Sequence, residues 1–139
     1  MTYLDASILV SALTGDVNTA RARAWLAANA APLIVSDLAA LEVASVVSRG
    51  LRTGRFGRGD ADAALRDFDD FRRHAERLGH RPADFALAES LIRAFDDKLA
   101  TQDALHLASA INARATLATF DARLAAAAKA RGVEVAEMG

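Results

Sequence analysis

The sequence predicts a three-layer α/β/α domain built on a short parallel sheet. Short apolar runs such as Leu33-Ile34-Val35 alternate with stretches of helical spacing. Ser, Asp, Gly and Pro bound these segments where turns and caps belong. Two helical segments, 37–52 and 102–113, are apolar nearly all round, at least in their first turns, which suits helices buried against a sheet. Strands alternating with helices form parallel βαβ units in an open sheet covered on both faces. No internal repeat or interdomain linker interrupts the pattern, so residues 1–139 read as one domain.

Residues 2–4 are expected to form a strand, followed by a helical stretch at 8–13 that Gly15 breaks. Residues 18–29 read as a helix, with Trp25 as a packing residue. The run 33–35 is a buried strand, and Ser36-Asp37 is an N-cap signal for the helix 37–52. The segment from Arg49 to Gly59 is Gly- and Arg-rich and reads as a helix end plus loop. Residues 60–77 read as a charged amphipathic helix and 78–81 as a short strand. Pro82 suits the first turn of a helix running to about Phe95. Residues 102–113 form the next helix, 115–119 a strand, 121–131 an Ala-rich helix, and 133–135 a last strand.

Composition narrows the function. A chain of 139 residues buries about two-thirds of its surface on folding and supports a real core. No run of 18 apolar residues is present, so nothing spans a membrane. The start reaches Asp5 without a basic stretch and a long apolar one, which argues against a secretory signal and for a cytoplasmic protein. Without Cys there is no disulfide, thiolate zinc site or thiol nucleophile. The formal net charge of −1 gives no global support to nucleic-acid binding, so any basic surface is local.

Four carboxylates stand in apolar settings. Asp5 ends Met1-Thr2-Tyr3-Leu4, and Glu42 lies within Leu38-Ala39-Ala40-Leu41-Glu42-Val43-Ala44. Asp103 opens Asp103-Ala104-Leu105-His106-Leu107-Ala108, and Asp121 closes Thr116-Leu117-Ala118-Thr119-Phe120-Asp121. An ionised carboxylate in such a setting is costly unless a cation offsets it. Each has a bland reading: a helix cap for Asp121, a turn for Asp5, a first-turn acid for Asp103, a buried ion pair for Glu42. Together they point to one acidic pocket holding a metal. Asp5 and Asp121 follow strands, and Glu42 and Asp103 lie near helix starts. All four therefore belong at the carboxyl edge of the sheet, where open α/β sheets bind ligands. With only oxygen donors, Mg²⁺ or Mn²⁺ is favoured over Zn²⁺. The other acids, Asp60, Asp62, Asp67, Asp69, Asp70, Asp96 and Asp97, sit among charges and read as solvated. His106 reads as a helix-packing residue, and His74 and His80 as part of the charged region.

The patterns Tyr3-Leu4-Asp5-Ala6-Ser7, Glu42-Val43-Ala44-Ser45-Val46, Asp103-Ala104-Leu105-His106-Leu107-Ala108 and Thr119-Phe120-Asp121-Ala122-Arg123-Leu124 together resemble the PIN-domain ribonucleases. Within them the chain is similar to VapC-type toxins of toxin–antitoxin pairs. The resemblance covers essentially the whole chain and implies a PIN-like, Rossmann-like open sheet. It implies a Mg²⁺- or Mn²⁺-dependent endoribonuclease with Asp5, Asp103 and Asp121 as main ligands. Glu42 would be a ligand or a water-orienting base, and Ser7 and Thr119 would support the carboxylates. It also implies a small antitoxin that covers the pocket, often with an Arg, and a homodimer. Phe85, Leu87, Ala88, Leu91, Ile92 and Phe95 are candidates for the dimer seam or for core packing. Arg49, Arg52, Arg55 and Arg58 recur every third residue and are candidates for RNA phosphate contact or for antitoxin contact.

Three rival readings remain. A haloacid dehalogenase-type phosphatase needs a second Asp two residues after Asp5, where this chain has Ser7. A receiver domain would leave Glu42 unexplained and lacks the expected Lys. A non-catalytic scaffold whose acidic pocket accepts a partner's Arg differs in kind from an enzyme.

Overall fold

The computed structural model describes residues 1–96 and 98–139, so the expectation for Asp97 lies outside the described residues. The strands are β1 (Thr2–Leu4), β2 (Leu33–Ser36), β3 (Glu76–Leu78) and β4 (Thr116–Ala118). The helices are α1 (Ala6–Thr14), α2 (Thr19–Ala28), α3 (Asp37–Arg52), α4 (Arg58–Arg72), α5 (Pro82–Arg93), α6 (Thr101–Asn112) and α7 (Ala122–Ala130). The strands pair in parallel in the order β3-β2-β1-β4, with Tyr3 opposite Ile34 on one side and Leu117 on the other. The chain winds outward from β1 to β3, then crosses back to place β4 on the other side of β1. The strand order reverses at β1, and a crevice at such a reversal is where these sheets bind ligands.

Successive strand residues point to opposite faces. Tyr3, Ile34 and Leu117 join Leu107 and Leu124 in the core beneath α5, α6 and α7. Leu4, Val35 and Ala118 join Ile8, Leu9, Val43, Val47 and Phe68 beneath α1, α3 and α4. The three layers follow from this alternation. Trp25 is half-buried and packs against the second cluster, as the sequence implied.

Four expectations need correction. Helix α3 is not buried all round: Ala39, Val43, Val47 and Gly50 are buried, while Leu41 is 68% exposed. Its apolar residues exceed what one sheet face can cover. The charged helix ends at Arg72 instead of 77, and the following strand is 76–78 instead of 78–81. That strand is an exposed edge with one half-buried residue, so no apolar run marks it. Residues 133–135 contribute a single bridge, Leu117 to Val135, and not a strand. The apolar residues of α5 divide: Ala88 and Leu91 are buried and Leu87 half-buried, whereas Phe85, Ile92 and Phe95 are exposed.

Gly50 shows how α3 meets the loop after it. A Cβ there would lie 2.3 Å from Cζ and 2.5 Å from Cε1 of Phe56, which folds back over the helix. Gly50→Ala improves helix propensity but displaces that ring. We expect urea denaturation to show a net loss of about 1–2 kcal/mol from overpacking. A variant as stable as the parent would mean that Phe56 moves aside freely.

Candidate functional site

Asp5 links β1 to α1, and its backbone N–H donates to Ala118 O at 3.0 Å. It does not cap α1 with its side chain. Its Oδ2 instead accepts hydrogen bonds from Ser7 Oγ at 2.8 Å and Thr119 Oγ1 at 2.7 Å. Those hydroxyls are themselves held: Ser7 Oγ accepts from Phe120 N–H at 3.0 Å, and Thr119 Oγ1 accepts from Asp121 N–H at 3.0 Å. The ends of β1 and β4 are thus laced together around a buried carboxylate.

Asp121 caps α7, its Oδ1 accepting from the N–H groups of Arg123 and Leu124 at 2.9 and 3.0 Å. The bland reading therefore holds for one oxygen of Asp121, while its carboxyl also faces Asp103 closely enough to act on it. Asp103 stands in the first turn of α6, and its carboxylate accepts no hydrogen bond among the described residues. Desolvation raises its pKa above the ordinary 3.8, and the charges of Asp121, Asp5 and Glu42 raise it further, against a smaller pull from His106. Four carboxylates from four elements thus share one local field.

Glu42, in the second turn of α3, reaches this cluster through His106. Its Oε1 lies 2.5 Å from His106 Nε2, which is also 3.5 Å from Asp5 Oδ1. His106 is fully buried, as a packing residue would be, but packing is not its whole role: both ring nitrogens are engaged. Nδ1 lies 2.7 Å from the Tyr3 hydroxyl, which donates to Ser36 Oγ at 2.9 Å. Burial pushes the Tyr3 phenol far above its ordinary range; the Ser36 bond opposes this, and the Asp5 and Glu42 charges add to it. The phenol therefore stays neutral.

His80 also departs from expectation. Its Nε2 accepts from Leu38 N–H at 3.2 Å, in the first turn of α3, and its Nδ1 meets Ser109 Oγ at 3.0 Å. Desolvation lowers its pKa, which favours the neutral ring that this acceptor role requires. His74 is exposed, and among the described residues its ring meets Asp70 O at the end of its own helix.

Sequence reasoning missed His106 and Tyr3 as parts of the site. The signal was present: His106 is three residues after Asp103, hence on the same face of α6. It also missed Asp84, which with Asp5 is one of the two acids buried among the described residues, whereas Glu42 and Asp103 are half-buried and Asp121 is exposed. Asp84 accepts from Arg81 N–H at 2.9 Å and from Asn112 Nδ2 at 2.7 Å, and lies 3.6 Å from the Arg81 guanidinium. It is a structural carboxylate with partners of its own.

The four arginines do not join the acids. Arg49 and Arg52 occupy the last turn of α3, about 10 Å or more along the axis from Glu42 at 1.5 Å per residue. Arg55 donates to Gly15 O at 3.2 Å, and Arg58 pairs with Asp62 at 3.4 Å. All four are exposed. A cavity of about 670 Å³ lies at the β3 edge, lined by Ser36, Asp37, Arg72, Arg73 and Arg77 among others, not by the four acids.

Among the described residues no three carboxylate or imidazole groups stand close enough to enclose a bare ion. The donor chemistry nonetheless fits a hard divalent cation. Mg²⁺ is commonly held by one or two carboxylates and keeps several waters, so widely set acids suit it. Three of the acids also have one oxygen anchored by the protein, which pre-orients the carboxyl groups.

The comparisons with known proteins agree with this fold. The toxin VapC20 of Mycobacterium tuberculosis, described as cleaving the sarcin-ricin loop, is 18% identical with a TM-score of 0.75, over 91% of this chain and 95% of that one. FitAcB of Neisseria gonorrhoeae is 20% identical with a TM-score of 0.73, over 99% and 98% of the two chains. VapBC2 of Rickettsia felis, bound to a DNA fragment from its promoter, is 18% identical with a TM-score of 0.69, over 98% of both chains. No curated protein sequence matches the chain. The family model for the PIN domain matches residues 2–130, nearly the whole length, and the chain belongs to the PIN-domain family.

Proposed function

We propose that this protein is a Mg²⁺- or Mn²⁺-dependent endoribonuclease, the toxin of a toxin–antitoxin pair. The observation that carries the reading is the convergence of Asp5, Glu42, Asp103 and Asp121 from four elements, with Asp5, Glu42 and Asp121 each anchored through one oxygen and Asp103 lying in the field of the other three. The surrounding charges oppose ionisation of Asp103, and a divalent cation relieves that opposition. PIN domains are typically nucleases and generally use divalent metals, and the fold resembles those of toxins from toxin–antitoxin systems.

Asp5, Asp103 and Asp121 would hold the ion, with Glu42 as a further ligand or as the group that orients the attacking water. When bound, the cation activates water for attack on a phosphodiester and stabilises charge on the phosphate and leaving oxygen. The chain's own contribution is orientation. Ser7 and Thr119 hold one oxygen of Asp5 and leave Oδ1 toward the cluster. The N-terminal amides of α7 hold one oxygen of Asp121. Glu42 Oε2, on the carboxylate whose Oε1 meets His106, is available to accept a proton from water.

The reading includes an antitoxin partner, whose solved counterparts among the structural neighbours are toxin–antitoxin complexes. It includes a homodimer, with exposed Phe85, Ile92 and Phe95 as its candidate seam. Arg49, Arg52, Arg55 and Arg58, exposed and set apart from the four acids, are the candidates for contact with RNA phosphates or antitoxin. One domain spans the whole chain on this reading. Among the described residues no helix is long and apolar enough to cross a membrane.

The wide spacing of the acids also suits a second reading, in which a partner's Arg enters a pocket that performs no chemistry. Incubating antitoxin-free protein with bacterial RNA in Mg²⁺, Mn²⁺ or EDTA separates the two. We expect cleavage with either metal and none with EDTA. Tight antitoxin binding without cleavage in either metal, across a full bacterial RNA pool, would favour the scaffold.

A further inference from the structure

We infer that His106 is a positioning residue, which anchors Glu42 beside the other acids of the cluster and is itself held in place by Tyr3. The inference rests on the metal-site reading above and goes beyond it by naming the group that sets the geometry.

The contacts form a closed circuit. Glu42 on α3 meets His106 on α6 at 2.5 Å. His106 meets Tyr3 on β1 at 2.7 Å, and Tyr3 donates to Ser36 at 2.9 Å. Ser36 Oγ accepts from Ala39 N–H at 3.0 Å, in the first turn of α3 itself. The circuit leaves α3 at Glu42, crosses α6 and the central strand, and returns to α3 one turn earlier. It fixes the height of α3 relative to α6, and with it the separation of Glu42 from Asp103.

Packing alone does not account for this arrangement. An imidazole with no exposed surface carries two polar nitrogens that a Leu or Met would not, and burying polar atoms is unfavourable unless each is bonded. Both are bonded, and one of them to a carboxylate of the site. The Tyr3 and His106 rings also meet edge to face, with centroids 5.6 Å apart and planes at 70°, so the imidazole cannot swing without displacing the phenol. Asp5 and Asp121 have their own anchors in Ser7, Thr119 and the α7 amides. Glu42 has a longer, freer side chain, and its anchor is His106. Because Asp103 and His106 share one face of α6, a single helix delivers both a ligand and the clamp for Glu42.

The test is Mn²⁺ binding to the full chain by calorimetry, beside apo thermal melting. The side-chain amide of Gln reaches about where Nε2 lies, and that of Asn about where Nδ1 lies. His106→Gln should therefore keep the contact with Glu42, and His106→Asn should lose it. We expect the Mn²⁺ dissociation constant to rise about 10–100-fold in His106→Asn and to stay near the parent value in His106→Gln. Apo melting temperatures of the two variants should be alike. Tyr3→Phe removes one oxygen without changing the packing, and should raise the constant about 10-fold. Equal affinities in the Gln and Asn variants, or an unchanged constant in Tyr3→Phe, would overturn the positioning role. Asp103→Asn is the separate control. If it binds Mn²⁺ as tightly as the parent, the metal reading itself fails and the clamp with it. If it does not bind while all clamp variants bind normally, the metal reading stands and the clamp is refuted.

Discussion

Asp103→Asn is expected to lower RNA cleavage by about 10²–10³-fold, the cost of removing one electrostatic stabiliser from a site, and yet to make the metal-free protein more stable. Asp103 is half-buried, its carboxylate accepts no hydrogen bond among the described residues, and it faces Asp121, Asp5 and Glu42. Its folded pKa is raised above the ordinary 3.8. The stability it contributes is thus fully present below that value and is lost as pH rises through the folded value. Asn never ionises, so the stability gap in favour of the variant should open as pH rises from below 4 toward neutrality. Metal reverses the order. At a concentration of about 100 times the dissociation constant, a ligand stabilises the folded state by about 2.7 kcal/mol, which the parent should gain and the variant should not. Asp5→Asn should lose activity likewise but gain no stability, because its carboxylate is already satisfied by Ser7 and Thr119. Melting curves with and without Mn²⁺ at several pH values test this alongside cleavage. An Asp103→Asn protein that is both inactive and less stable than the parent would mean that Asp103 is a structural acid.

The fold was legible where apolar segments alternate with capped helices. Ser36 does cap α3, Pro82 does open α5, and Gly15 does end α1 in the left-handed region. The edges were not legible. Strand β3 owes its existence to pairing with β2, and its residues Glu76 and Arg77 carry no apolar signal. The tail at 133–135 does carry such a signal but finds only one bridge. The placement of the four acids could be argued from strand ends and helix starts, because topology dictates which edge they share. Their hydrogen-bond partners could not. The His106 contacts with Glu42 and Tyr3 span 64 and 103 residues of chain, and a buried imidazole beside Leu105 and Leu107 has the same local surroundings whether or not it meets a carboxylate. Asp84 was obscured for the converse reason. It lies in a polar-looking turn, Arg81-Pro82-Ala83-Asp84, and only the packing of α5 on α6 buries it.

Asp84→Ala should destabilise the protein by about 2–4 kcal/mol, more than any surface acid, without involving the proposed site. Asp84 is 1% exposed and joins two helices. It caps α5 through Arg81 N–H and receives the Asn112 side-chain amide from α6. Losing a cap costs about 1 kcal/mol, and losing a hydrogen bond to a charged group about 1.5–3 kcal/mol, with Asn112 left unpaired. The Arg81 guanidinium at 3.6 Å adds little, because it is largely in solvent. Burial alone would raise the Asp84 pKa, but the Arg81 amide, the Asn112 amide and the charges of Arg81 and His80 outweigh it and hold it below 3.8. A depressed folded pKa contributes stability above the unfolded value that is lost as pH falls through the folded value. The gap between parent and Asp84→Ala should therefore be full at neutral pH and narrow in acid below 3.8. This trend is opposite to that of Asp103, whose effect grows as pH rises. Urea denaturation at neutral pH and near pH 3 reads both. A gap that stays constant across that range would mean that Asp84 acts through packing and not through its charge. If the variant also lost Mn²⁺ affinity in proportion to its stability, the α5–α6 pair would have to be counted as part of the site that α6 carries.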